Sequence, residues 1–152
     1  MLEDSLVCVI KAIYSFSVEP FMELSKKKIE AFQRKVLIWY AKHKRDLPWR
    51  KTTDPYRIVV SEVMLQQTQV DRVVKYYRNF LAKYPTLSDL AGAEKVELLK
   101  MWQGLGYNNR VLRLQQMALE IVKKGGFPES YEELIELPGI GPYTARAVHA
   151  FA

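Results

Sequence analysis

Leu137-Pro138-Gly139-Ile140-Gly141-Pro142-Tyr143-Thr144 sets two glycines about one apolar residue and then places a proline where a helix can begin. Glycine has no Cβ, so the backbone at 139 and 141 can come very close to another molecule. Pro142 has its φ already near a helical value and no N–H to lose in a first turn. The unpaired N–H groups at such a helix start point outward and can hold a phosphate oxygen without reading a base. Upstream, Ser130 with Glu133 matches a capping box, opening a helix over 130–136. Downstream, Ala-Arg-Ala-Val-His-Ala at 145–150 extends a second helix from Thr144 onward. The stretch reads as two helices joined by a tight hairpin.

Working outward, every long segment carries a helical period. Over 26–44, Ile29, Phe32, Val36, Leu37 and Tyr40 follow the three-and-four spacing of one buried stripe, with Lys27, Lys28, Arg34, Lys35 and Lys42 around the rest. Asp54-Pro55 is a cap followed by a helical first position, and the helix after it runs to about Tyr84 with a break at 67–69. Thr86 with Asp89 is a second capping box, and Gly104-Leu105-Gly106 and Gly125-Gly126 are stops between helices. No segment alternates with a period of two, so the chain is predicted to be all-α.

The 152 residues are 49% apolar and 12% aromatic, enough for a core, which excludes disordered and fibrous classes. Cys8 is the single cysteine, so a disulfide framework, a zinc-thiolate site and a four-thiolate cluster within this chain are all excluded, and a reducing cytoplasm is expected. The longest apolar-rich run, 6–18, is broken by Lys11 and is shorter than the roughly 20 residues a membrane span requires. Its flank, Met1-Leu2-Glu3-Asp4, is acidic, the wrong sign for a secretory signal. Charge is unevenly spread: residues 1–24 hold one Lys or Arg against four Asp and Glu, 25–51 hold ten against two, and 52–152 twelve against eleven. A short, strongly basic segment suits a polyanion, whose condensed counterions it displaces, and equally suits a solvated helix face. The acidic first 24 residues read as an atypical extension, with Met22 the expected natural start.

The second chemical signal is Ser-Glu-Val-Met-Leu-Gln-Gln-Thr-Gln at 61–69, where Glu62 is the one ionisable residue between Ile58 and Gln69. A carboxyl among apolar neighbours loses hydration, which favours its neutral form and suits a general acid. The same pattern fits an amphipathic helix that turns one Glu to water.

Taken together, Leu47-Pro48-Trp49-Arg50, the 61–69 string, Trp102-Gln103-Gly104-Leu105-Gly106-Tyr107 and the 137–144 hairpin occur in the order and approximate spacing of the helix-hairpin-helix DNA glycosylase superfamily. Over about residues 26–152 the chain closely resembles the A/G-specific adenine DNA glycosylases of the MutY type. The resemblance implies a helical bundle or barrel incomplete at its C-terminus. Residues 25–55 would form a basic helix and pocket-lining loop of the second, cluster-side lobe. Residues 56–152 would form the barrel lobe, with the helix-hairpin-helix at 130–152.

The implied reaction is base-excision repair: adenine opposite 8-oxoguanine or guanine is turned out of duplex DNA and its N-glycosidic bond cut, since the reacting atoms are shielded inside the stack. By resemblance Glu62 is the general acid at N7 of the everted adenine, and a second carboxylate stabilises the oxocarbenium-like sugar. Arg45, Trp49 and Arg50 match residues of the adenine pocket. Gln67 matches the residue wedged into the vacated stack, with Leu65 and Thr68 beside it. Tyr107 matches the ring intercalated beside the lesion, Leu105 is its neighbour, and Gly139 and Gly141 supply amides to a phosphate. For Trp49, Leu105 and Tyr107 the competing role is core packing. Tyr143 stands where the endonuclease III branch has a Schiff-base lysine. A phenol forms no imine, so base excision without strand cleavage is expected.

Two departures bear on activity. Asn108-Asn109 replaces the usual aromatic-containing pair after Gly-Tyr. The family's catalytic aspartate, the loop of four cysteines that holds a 4Fe-4S cluster in most members, and the 8-oxoguanine-reading domain all lie downstream of the hairpin helix. Asp46 and Asp54 do not match the aspartate. The chain is therefore expected to be the amino-terminal part of a monomeric glycosylase, inactive or crippled as it stands, cofactor-free, without a membrane partner, and nucleoid-associated in the full protein. Two other readings stay open: a thymine or uracil mismatch glycosylase on the same scaffold, and a non-catalytic module that holds a DNA backbone by its hairpin and basic helix.

Overall fold

The computed structural model describes residues 25–152, so the extension and its Met22 lie outside the described residues. The chain divides into two compact units, one ending at Leu47 and the other beginning at Pro48. The division falls inside the expected 25–55 segment: Arg45 belongs to the first unit, whereas Trp49 and Arg50 belong to the second. Among the described residues there is no β-strand.

In the first unit, helix α1 (Lys26–His43) has Lys42 and His43 in its last turn, the sign its macrodipole favours. The expected buried stripe is not buried. Ile29, Val36 and Tyr40 are half-exposed, Phe32 and Leu37 are exposed, and no residue of α1 is fully covered. Helical spacing made the stripe legible, but spacing alone does not supply a partner.

The second unit begins with a 3-10 turn, Pro48–Lys51, and continues through seven helices: α2 (Pro55–Leu65), α3 (Val70–Lys83), α4 (Leu87–Ala91), α5 (Lys95–Trp102), α6 (Asn109–Lys124), α7 (Tyr131–Ile135) and α8 (Pro142–Phe151). The predicted break after 66 is the α2–α3 junction.

Helix α2 is apolar around most of its circumference, and such a helix must be central. Tyr56, Ile58, Val59, Val60, Val63 and Met64 are all buried, and α3, α6 and α8 pack around it. Asp54 caps it, its Oδ1 accepting from the Tyr56 N–H at 2.9 Å, and Pro55 fills the first helical position. Across the core, Phe80 of α3 meets Trp102 of α5 edge-on with ring centroids 6.0 Å apart. Removing either ring would cost about 3–5 kcal/mol.

The capping box at Thr86 and Asp89 forms in full. At Ser130 only half forms: its Oγ accepts from the Glu133 N–H at 3.2 Å, and Glu133 bonds the serine hydroxyl rather than its backbone. Helix α6 ends on Gly125, whose φ of 86° provides the left-handed cap. The hairpin is seated by two apolar anchors, Leu137 and Ile140, both buried, with the Ile140 N–H donating to the Leu137 carbonyl at 3.1 Å.

Candidate active site

The centre of the site is the line where α2 and α8 pack together. Glu62 is half-buried on α2 between buried Ser61 and Val63. The Ser61 hydroxyl is turned inward and donates to the Ile58 carbonyl at 2.8 Å, so it offers Glu62 no proton. Among the described residues the Glu62 carboxyl has neither a hydrogen bond nor an ion pair, and burial pushes its pKa above the ordinary glutamate value. Tyr143, in the first turn of α8, stands across from it. The phenol is raised in pKa first by the charge of Glu62 and then by burial, although 76% of the residue is exposed. The Glu62 carboxyl and the Tyr143 phenol are thus near enough to interact electrostatically where α2 and α8 pack together.

Around this pair the anticipated residues divide. Trp49 is half-buried, edge-on to Tyr77 at 5.4 Å, and packs against the core, while Arg50 is exposed. Gln67 is exposed, Thr68 is half-exposed with its hydroxyl donating to the Gln66 carbonyl at 3.2 Å, and Leu65 leans on the core. Tyr107 is 69% exposed. Its expected neighbour Leu105 is buried in the core, on the loop that carries Tyr107. Gly139 and Gly141 are both exposed, and only Gly139 has a left-handed φ, 77°. A Cβ there would lie 2.9 Å from Arg113 Cβ, whereas a Cβ at Gly141 would meet open space.

Gln67 (φ 54°) and Tyr107 (φ 49°) are the only non-glycine residues with positive φ among the described residues. Such a conformation costs an ordinary side chain about 1–3 kcal/mol and persists only where the surroundings impose it. The two residues expected to enter a duplex are thus the two whose backbones are held under strain.

One residue at the site belongs to none of the motifs above. The Arg110 guanidinium lies between the end of α2 and the 104–107 loop. Its Nη1 donates to the carbonyls of Val63 (2.8 Å), Gln66 (2.6 Å) and, more weakly, Met64 (3.4 Å). Its Nη2 donates to Leu105 and Gly106, both at 3.0 Å. Among the described residues it has no carboxylate partner, and burial lowers its pKa from the ordinary arginine value. A sequence signal did exist: a basic residue in the first turn of α6 opposes the helix macrodipole, so its purpose lies outside its own helix.

Among the described residues no three His, Cys, Asp or Glu side chains converge as metal ligands, and Cys8 lies outside them. The residues described do not make a four-thiolate site. No described helix is long and apolar enough to cross a membrane.

The second unit thus joins a glycine hairpin to a helix that carries a half-buried acid, and residues 60–151 match the model of the HhH-GPD superfamily of base excision DNA repair proteins. The chain belongs to that superfamily. It is 46% identical to the adenine DNA glycosylase of Rattus norvegicus over 135 residues, which are 82% of this chain and 26% of that protein. It is 42% identical to that of Mycobacterium tuberculosis over 120 residues, 77% of this chain and 40% of the relative. The chain thus spans about a quarter of the length of the mammalian relatives it matches. Among solved structures, a thermostable thymine-DNA glycosylase superposes with a TM-score of 0.77 at 32% identity, covering 86% of this chain and 61% of the other. An endonuclease III–DNA covalent intermediate superposes with a TM-score of 0.70 at 23% identity over the same shares, a likeness of fold.

Proposed function

We propose that this protein is a monofunctional DNA glycosylase of base excision repair, acting as a monomer on duplex DNA and releasing adenine mispaired with 8-oxoguanine or guanine. The observation that carries the reading is the unpartnered, dehydrated carboxyl of Glu62 facing the hairpin tyrosine, within a chain over 40% identical to adenine glycosylases. In this scheme the backbone N–H groups of Gly139 and Gly141 hold a backbone phosphate. Gln67 and Tyr107 enter the stack, and the displaced adenine swings toward Glu62. Glu62 gives its proton to N7, so the electron pair of the C1′–N9 bond leaves with a purine that departs neutral. Water then adds to C1′ of the oxocarbenium-like sugar and releases a proton.

A second carboxylate is wanted beside C1′, and Asp54 does not supply it. Asp54 is committed to the α2 cap and an ion pair with Arg57 at 3.3 Å. It also precedes Glu62 by eight residues, about 12 Å along the helix axis. Tyr143 offers no amine, so it forms no Schiff-base adduct with the sugar.

The likeness to a thymine-DNA glycosylase supports a second reading, in which thymine or uracil is released. A panel of duplexes carrying single A·8-oxoguanine, A·G, T·G or U·G pairs, treated with the full-length gene product, separates the two. Adenine release alone is expected. Thymine or uracil release would reverse the assignment, and release of no base, with binding indifferent to the mispair, would leave only a backbone-holding module.

A further inference from the structure

We propose that Arg110 is a positioning residue that sets both DNA-inserting loops at once and ties them to the helix carrying Glu62. The inference rests on the glycosylase reading and assigns a side chain to the step before chemistry. Each strained residue directly follows a carbonyl that this guanidinium grips: Gln66 precedes Gln67, and Gly106 precedes Tyr107. On the α2 side the grip extends to the carbonyl of Val63, the residue next to Glu62. The Tyr107 ring sits 5.8 Å from the guanidinium carbon, and the Arg110 backbone N–H donates to the Tyr107 carbonyl at 2.9 Å. One planar group therefore fixes the end of the catalytic helix, the wedge and the intercalating ring as a single body. A lysine ammonium cannot span both segments, because it is a point donor rather than a fork. Preorganising the two loops removes an ordering cost that DNA binding would otherwise have to meet.

The test uses Arg110→Lys in the full-length gene product, which keeps the charge. Hydrogen exchange at residues 66–69 and 105–109 is expected to accelerate about tenfold or more, with the amides of Met117 and Ile121 in the core of α6 unchanged as a control on folding. With a duplex carrying 2-aminopurine opposite 8-oxoguanine, the fluorescence rise on saturation should fall about fivefold, while the salt dependence of binding stays at the parent slope. Parent-like exchange or parent-like extrusion overturns the proposal. So does a slope reduced by about one, which would make Arg110 a phosphate contact instead. If the parent itself gives no fluorescence rise, the adenine reading fails, and exchange at the two loops still decides whether Arg110 sets them.

Discussion

A carboxyl that loses water without gaining a partner prefers its proton, and Glu62 is in that state. The folded protein therefore binds this proton more tightly than the unfolded chain does. The sign of the linkage follows: the Glu62 contribution is most favourable below the ordinary carboxylate range and declines as pH rises from there through the raised pKa. Glu62→Gln should raise the melting temperature at neutral pH, the gain vanishing below about pH 4, where the carboxyl is protonated in both the folded and the unfolded chain. The same substitution should cut base release by about 10²–10⁴ while leaving mispair binding intact, as the loss of a general acid requires. A melting temperature at or below the parent's at neutral pH would mean the carboxyl is hydrated or paired. The two hairpin glycines divide fold from binding in the same manner. Gly139→Ala forces a left-handed alanine against Arg113 and should cost about 1–3 kcal/mol in a thermal melt. Gly141→Ala has room and an ordinary φ of −94°, so stability should change by less than about 1 kcal/mol. Its DNA affinity should still fall, because the added methyl occupies the face a phosphate must approach.

Among the elements, α2 carries the most consequence, since the position of Glu62 follows from where that helix starts and what it packs on. Asp54→Ala removes the cap and should lower stability by about 0.5–2 kcal/mol, whereas Asp54→Ser, which restores a capping oxygen, should recover most of it. Equal melting temperatures for parent and alanine variant would show that packing alone fixes the start. Such boundaries were legible in the sequence because their causes are local. Asp54-Pro55, Thr86 with Asp89, and Gly141-Pro142 each act on their own first turn. The isolation of Glu62 was legible for a similar reason, as no other ionisable residue stands between Ile58 and Gln69 on its helix. Local spacing carries no information about a distant partner. The α1 stripe has the spacing of a buried face and no buried residue. Leu105 has the motif position of a DNA contact and the burial of a core residue. Arg110 could not be found by motif because its acceptors are backbone carbonyls, which every residue has, and those on α2 lie 44 to 47 positions away in the chain.

At the scale of the whole molecule the decisive property is where the charge lies. A net +6 would be unremarkable for a soluble domain, but the excess is drawn from residues 25–51, with ten Lys and Arg against two Asp and Glu, while 52–152 are nearly balanced. In the proposed scheme the near balance over 52–152 leaves base eversion to loop geometry, and the basic 25–51 segment can supply affinity without reading sequence. The two contributions should come apart under salt. Lys26, Lys27 and Lys28 form the exposed first turn of α1 without a single acidic residue, a placement unfavourable to the helix dipole and favourable to an incoming phosphate. Changing all three to Gln should weaken binding to matched and mispaired duplexes alike, and flatten the slope of log affinity against log salt by about 0.9 for each lysine that touches a phosphate. Mispair preference and 2-aminopurine brightening at saturation should be unchanged, the reverse of the outcome for Arg110→Lys. A parent-like slope in the triple variant would reduce this basic turn to a solvated helix end and leave the second unit, with its hairpin, to hold DNA by itself.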